Sequence, residues 1–170
     1  EYGEKLKIGG GKERMASLLT DEFVEKANLP KDKDGQIAEI ARWHKRKSEI
    51  YKELVLAGKL PARPGITRII DEAIKSGWQL AVCSTSAQSW VEAVLRHVAG
   101  EENFNKFALI LAGDVVPKKK PAPDIYLLAI EKLGVNPNEV LVIEDSRNGL
   151  LAAHSAGLKC LVTVNGYTEN

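Results

Sequence analysis

Apolar residues recur at spacings of three and four among charged ones from Lys12 to Asn28 and again from Ile37 to Ala57. That periodicity predicts two amphipathic helices, each with one buried stripe. Neither stretch alternates as a half-buried strand would. The segment "GKLPARPG", Gly58 to Gly65, then interrupts the pattern with paired prolines and glycines, and predicts a hinge between a helical domain at 1–60 and a second domain at 61–170. Beyond it, apolar runs at 78–84, 107–113, 139–145 and 158–164 alternate with helical patterns around 66–76, 87–98, 123–133 and 147–156. The helix at 123–133 follows prolines and stops at Gly134, as helix-end chemistry favours. Near-continuous apolar strands separated by helices predict an α/β fold with a parallel sheet covered on both faces. Ligands of such sheets sit beyond the C-terminal ends of the strands, so the residues that follow each apolar run carry the candidate chemistry.

Charge changes this picture little. The chain of 170 residues has 24 basic and 23 acidic side chains, so no global field points to nucleic acid or a membrane surface as partner. Any anion is bound locally. Cys83 and Cys160 both lie inside apolar runs and read as buried free thiols rather than a disulfide framework. No run approaches the roughly 20 apolar residues of a membrane span, and no signal or transit peptide is evident at the start.

Three strand ends stand out. "LAVC" runs into Ser84-Thr85-Ser86 before a helix, offering a hydroxyl and backbone N–H groups to a phosphate; a serine there could equally serve as a helix cap. Before the third helix stands "KKKPAPD", in which Pro121 and Pro123 stiffen the chain after Lys120, whereas Lys118 and Lys119 read as a solvated charge run. "VLVI" ends in Glu144-Asp145, adjacent carboxylates whose repulsion a hard cation would relieve, unless Asp145 merely caps the next helix and Glu144 is solvated. Hydroxyl and amides, lysine, and acidic pair follow one another along a single sheet edge, an order that is hard to produce by chance.

"AVCSTS", "KKKPAPDIY" and "VIEDSRNGLLAAHSAG" resemble the second, third and fourth motifs of the haloacid dehalogenase superfamily, in order. Within it the chain is most similar to the CbbY-like branch, the bisphosphate phosphatases associated with Rubisco; "YGEKLKIGGGKERM" and "LAGDVVPKKKPAPDIY" look like its plant and algal plastid members. The resemblance implies a Rossmann-like phosphatase core with a helical cap, magnesium as cofactor, and a xylulose-1,5-bisphosphate-type sugar phosphate as substrate. It also implies the chloroplast stroma, or alternatively a bacterial cytoplasm, as location. By the same resemblance Ser84, with Thr85, would hold the transferring phosphoryl group and Lys120 would neutralise it. Asp145 would ligate magnesium, with Glu144 supporting the metal through water or Lys120 through a salt bridge.

The family's nucleophile and general acid come from an Asp-x-Asp ending the first core strand, and no such strand is present in the sequence. Asp32-Lys33-Asp34-Gly35 follows Pro30 and Lys31 rather than an apolar run, so it reads as a loop between cap helices; as a calcium loop it lacks two essential oxygens. "IGGGKER", Ile8 to Arg14, lacks the spacing of a nucleotide-binding loop and reads as an anion nest. Its resemblance to the phosphate-gripping cap segment of related enzymes makes Lys12 and Arg14 candidates for a second phosphate, with Lys47 on the next helix. His44, His97 and His154 have no metal-ligand spacing and receive no role. The expectation is an enzyme whose given 170 residues are inactive alone. The alternatives are a β-phosphoglucomutase-like phosphotransferase, or a non-catalytic relic docked to a protein partner.

Overall fold

The computed structural model describes residues 4, 5, 8, 10–59 and 61–164, and for Leu56 the backbone alone. Gly9 of the nest and Leu60 of the hinge segment lie outside the described residues.

The helical region differs from the prediction in one respect. The stretch 12–28 forms two helices, α1 (Gly11–Ala16) and α2 (Asp21–Lys26), instead of one. Ser17 ends the first, and Thr20 starts the second by accepting from the Phe23 N–H at 3.3 Å, so hydroxyl residues placed between the apolar positions turned one pattern into two. The long helix α3 (Lys33–Leu56) begins before Ile37 because Asp32 caps it, its carboxylate accepting from the Gly35 N–H at 2.7 Å. That assigns the internal Asp-x-Asp to a helix start. Asp32→Ala is expected to lower stability by about 1 kcal/mol in a denaturant titration while leaving any phosphatase activity of the full-length protein unchanged.

After α3 come α4 (Ile66–Lys75), β1 (Leu80–Ser84), α5 (Gln88–Phe104), β2 (Phe107–Ala112), α6 (Asp124–Leu133), β3 (Leu141–Glu144), α7 (Arg147–Ser155) and β4 (Lys159–Val162). The βα alternation is as the apolar runs predict. Helix α5 runs past its predicted end near residue 98, its two segments meeting at Gly100, where φ is 78°.

The strands do not form one sheet. β1 pairs in parallel with β2, with Ser84 opposite Ala112, and β3 pairs in parallel with β4, with Glu144 opposite Val162. The two pairs are not hydrogen-bonded to each other, so β1 and β3 each have an unpaired edge among the described residues. They are held together instead by side chains. Leu111, Val142 and partly buried Cys83 and Cys160 meet Ile125, Tyr126, Ala129, Ala152 and Ala153 of α6 and α7 in one apolar core. On the opposite face of β1 and β2, Ile70, Leu95 and Ala99 of α4 and α5 cover Leu80, Val82 and Ile110. Among the described residues the β3–β4 pair has no equivalent second layer: Leu141, Ile143 and Leu161 are about half exposed. Coverage on both faces therefore holds for one strand pair and not for the other.

An apolar cavity of about 430 Å³ runs beside β1, lined by Val55, Ile70, Val82, Trp90 and Leu95, with Ser84 also in its wall. Tyr51 of α3 and Trp90 of α5 meet edge-on at its rim, ring centroids 4.6 Å apart. Among the described residues no helix is long and apolar enough to cross a membrane.

Candidate active site

Parallel pairing orients the strand ends within each pair, and the contacts of Lys120 with both β1 and β3 bring the ends of the two pairs together. Ser84 is the last residue of β1 and Glu144 the last of β3; Lys120 enters from the loop between β2 and α6, where the Lys120–Pro121 peptide is cis.

Lys120 joins the two strand pairs. Its Nζ donates to the Cys83 carbonyl on β1 at 2.9 Å and to the Tyr126 hydroxyl at 2.9 Å, and it pairs with Glu144 on β3. The ion pair is largely out of water, the side chains being 11% and 10% exposed. Glu144 is held from every side: the Tyr126 hydroxyl donates to the same carboxylate oxygen, the Ser146 hydroxyl approaches the other at 3.4 Å, and the Thr163 N–H donates to its backbone carbonyl at 2.7 Å. Burial first, and then the hydrogen bond to Glu144, push the Tyr126 phenol well above its usual range and keep it a protonated donor. Tyr126 also places its ring 4.6 Å from the Lys120 ammonium, a cation–π contact. The Glu144 carboxylate has room only because residue 149 is glycine, where a methyl group would overlap it.

The bland alternatives for the serine and the aspartate are not realised. Helix α5 starts at Ala87 without a side-chain cap, so Ser84 is free of that duty; its Oγ accepts from the Ser86 N–H at 3.1 Å and keeps its own proton to donate. The cap of α7 is Ser146, whose Oγ accepts from the Gly149 N–H at 3.1 Å. Asp145 is therefore an exposed carboxylate that caps nothing, beside a Glu144 that is largely shielded and paired rather than solvated. Thr85 is exposed. The thiol of Cys83, behind Lys120, is pushed up to about 11 by burial, against the opposing pull of the lysine, and is inert at neutral pH.

Among the described residues, no three His, Cys, Asp or Glu side chains converge on one point. A magnesium ion takes one or two carboxylates and fills its remaining positions with water and substrate phosphate. Asp145 and its neighbour fit that sparse demand, with Asp145 the one whose oxygens are uncommitted to an ion pair.

Of the second-phosphate candidates, Lys47 and Lys12 add, after burial, to lowering the His44 pKa. Arg14 behaves differently: its Nη2 donates to the Ile8 carbonyl at 3.2 Å and its Nε is buried without a partner, so much of its guanidinium is turned into the loop. The residues missed by sequence reasoning are Tyr126 and Gly149, both in contact with the Lys120–Glu144 pair. Tyr126 lies six places after Lys120 within "KKKPAPDIY", and in that short span its phenol is the one group able both to accept from the lysine and to donate to a carboxylate.

Two parallel strand pairs flanked by helices thus carry a hydroxyl, a carboxylate-paired lysine and an uncommitted carboxylate at their strand ends. The haloacid dehalogenase-like hydrolase family matches residues 1–157, and the chain belongs to that family. It is 49% identical over 170 residues to a CBBY-like protein of Arabidopsis thaliana, covering 99% of this chain and 52% of that protein. It is 42% identical to protein CbbY of Cereibacter sphaeroides, covering all of this chain and 70% of that one. A crystal structure of CbbY from Rhodobacter sphaeroides in complex with xylulose-(1,5)bisphosphate superposes with a TM-score of 0.81 at 41% identity, over 99% of this chain and 71% of that one. The chain thus spans about half the length of the plant relative.

Proposed function

We propose that the protein is a magnesium-dependent phosphatase of sugar bisphosphates, with xylulose 1,5-bisphosphate or a near analogue as substrate. The observation that carries this reading is the Lys120 bridge between β1 and β3, with the Ser84 hydroxyl at one end and Asp145 at the other. Lys120 balances charge on the phosphoryl oxygens, Ser84 donates to them, and Glu144 and Tyr126 keep the ammonium aimed. Magnesium, held by Asp145, supplies further charge stabilisation. The attacking aspartate, which would form an aspartyl-phosphate later split by water, is assigned to sequence outside these 170 residues, on a strand between β1 and β3. The unpaired edges of both strands support that assignment, and on it the 170 residues alone are inactive. Residues 1–60 are read as part of a cap and 61–170 as part of the core. Lys12 and Lys47 are assigned to the second phosphate, with Arg14 shaping their loop. The bisphosphate complex of the bacterial relative and the plant relative support this substrate class and a plastid stroma location.

Incubating the full-length protein with xylulose 1,5-bisphosphate and magnesium tests the reading. The expected result is inorganic phosphate released in step with substrate loss. A phosphate moved to a new position on the sugar without release would establish a mutase, and inertness toward this and related sugar phosphates would remove the phosphatase reading altogether.

A further inference from the structure

Helix α5 begins directly after the Ser84-Thr85-Ser86 turn, and no side chain caps it. The hydrogen bond that commonly secures a helix start is therefore missing next to the turn that would grip a phosphoryl group. The first turn of α5 is held from outside instead. Trp90, the third residue of the helix, meets Tyr51 of α3 edge-on, with ring centroids 4.6 Å apart at an interplanar angle of 62°, an arrangement that aromatic quadrupoles favour. The two rings line one cavity together with Ser84 and Ser86 of the turn. Val55, one helical turn beyond Tyr51, lies in the same wall and is 3% exposed, so α3 is anchored on α5 at this end. The connector from α3 to α4 adds little to that anchoring. It passes through Gly58 and Gly65, at φ 67° and 87°, and no atom stands within 4 Å of where a side chain would begin at either. Contacts between α3 and α5, rather than a packed connector, set how the helical region sits on the first turn of α5.

We propose that Tyr51 is a positioning residue for the phosphate-holding turn, acting through Trp90: the aromatic pair clasps α3 to the first turn of α5, so that phosphate binding and the seating of α3 strengthen each other. This rests on reading Ser84–Ser86 as the phosphoryl site and adds what aims it. With the clasp made, the first turn of α5 is already fixed, and the hydroxyl and N–H groups leading into it lose less freedom when an anion binds. With the anion bound, that turn offers Tyr51 a Trp90 ring of fixed orientation. The coupling is reciprocal, as any linkage between two binding events is. Its size is bounded by the clasp itself: an aromatic pair of this geometry is worth a factor of about two to ten in an equilibrium, and it cannot transmit more than that. Since the contact is between rings, Tyr51→Phe preserves it.

Inorganic phosphate, titrated calorimetrically into the full-length protein with magnesium present, is the probe. Tyr51 is 46% exposed, so Tyr51→Ala removes the clasp without emptying the core. Tyr51→Ala and Trp90→Ala should each weaken phosphate binding about three- to tenfold. The double variant should bind no more weakly than the weaker single one, because the second truncation has no clasp left to break. Tyr51→Phe should stay within about twofold of the parent, a rescue that loss of general packing at Trp90 would not give. Parent-like affinity in Tyr51→Ala, losses that multiply in the double variant, or a Tyr51→Phe as weak as Tyr51→Ala would each overturn the proposal. A parent that fails to bind phosphate would overturn it together with the phosphatase reading. Phosphate bound equally well with and without the clasp would sink the clasp alone, and clasp-dependent phosphate binding without turnover of any sugar phosphate would sink the phosphatase reading alone.

Discussion

Replacing Lys120 by alanine in the full-length protein lowers phosphate release by about a thousandfold, the scale seen when one preorganised charge-stabilising donor is removed. The same substitution costs about 3 kcal/mol of stability. The two losses have separate causes. Activity falls because the transferring phosphoryl group loses its cation. Stability falls because Glu144, 10% exposed, is left without its counter-charge, and because the Cys83 carbonyl loses a donor at an unpaired strand edge. A Lys120→Met, Glu144→Leu double variant separates them: with no unpaired charge left, it should recover much of the stability and none of the activity. Parallel denaturant titrations and phosphate-release assays read both. If the single variant kept more than about a tenth of the parent's turnover, a donor-loss account of this size would be untenable.

Gly149→Ala is the second large effect, and it is unusual in acting on the site without removing any functional group. An added methyl group would overlap the Glu144 carboxylate. A carboxylate at the end of a free side chain would swing aside, but this one is fixed by Lys120, Tyr126 and the Ser146 hydroxyl. Its displacement breaks the pair that aims the lysine. Overpacking of this kind costs about 1–3 kcal/mol, and a reactive group moved by about 1 Å loses on the order of a hundredfold in rate. Because Gly149 does not sit at positive φ among the described glycines, backbone strain does not contribute, and Gly149→Ala combined with Glu144→Asp, one methylene shorter, should regain part of the stability. Thermal melts of the two variants against the parent check this; equal melting temperatures for the parent and Gly149→Ala would show that the carboxylate is freer than the geometry allows.

Both effects depend on residues whose roles were unequally visible in the sequence. Ser84, Glu144 and Asp145 were legible because they end apolar runs in a βα pattern, and Lys120 because two prolines follow it in the loop before a helix; the contacts of Lys120 then join the two strand pairs. The division of labour within the acidic pair came only from the family resemblance, which left Glu144 between supporting a metal through water and pairing with Lys120, since the residues alone do not say which side holds the lysine. The structure turns Glu144 inward to Lys120 and leaves Asp145 exposed. Tyr126 and Gly149 escaped notice for a different reason: a tyrosine and a glycine inside helical patterns look like core and punctuation, and only the approach of α6 and α7 to the end of β3 gives them work to do. The split of 12–28 into α1 and α2 lay in Ser17 and Thr20, hydroxyl residues within a continuous apolar periodicity. The division of the strands into two pairs could be anticipated from the missing apolar run before the cap helices, but the exposed second face of β3–β4 could not, because strand patterns do not say how many helices remain to cover them.

The central claim is that this strand edge is the phosphate- and metal-holding half of a magnesium-dependent phosphatase site. Titrating magnesium into the full-length protein while phosphate release from xylulose 1,5-bisphosphate is followed, with Asp145→Asn measured alongside, tests it most directly. Saturable activation of the parent by magnesium, with the variant requiring at least tenfold more metal or failing to respond, is the predicted result. Release that proceeds at full rate without magnesium, or an Asp145→Asn titration that overlays the parent's, would contradict it.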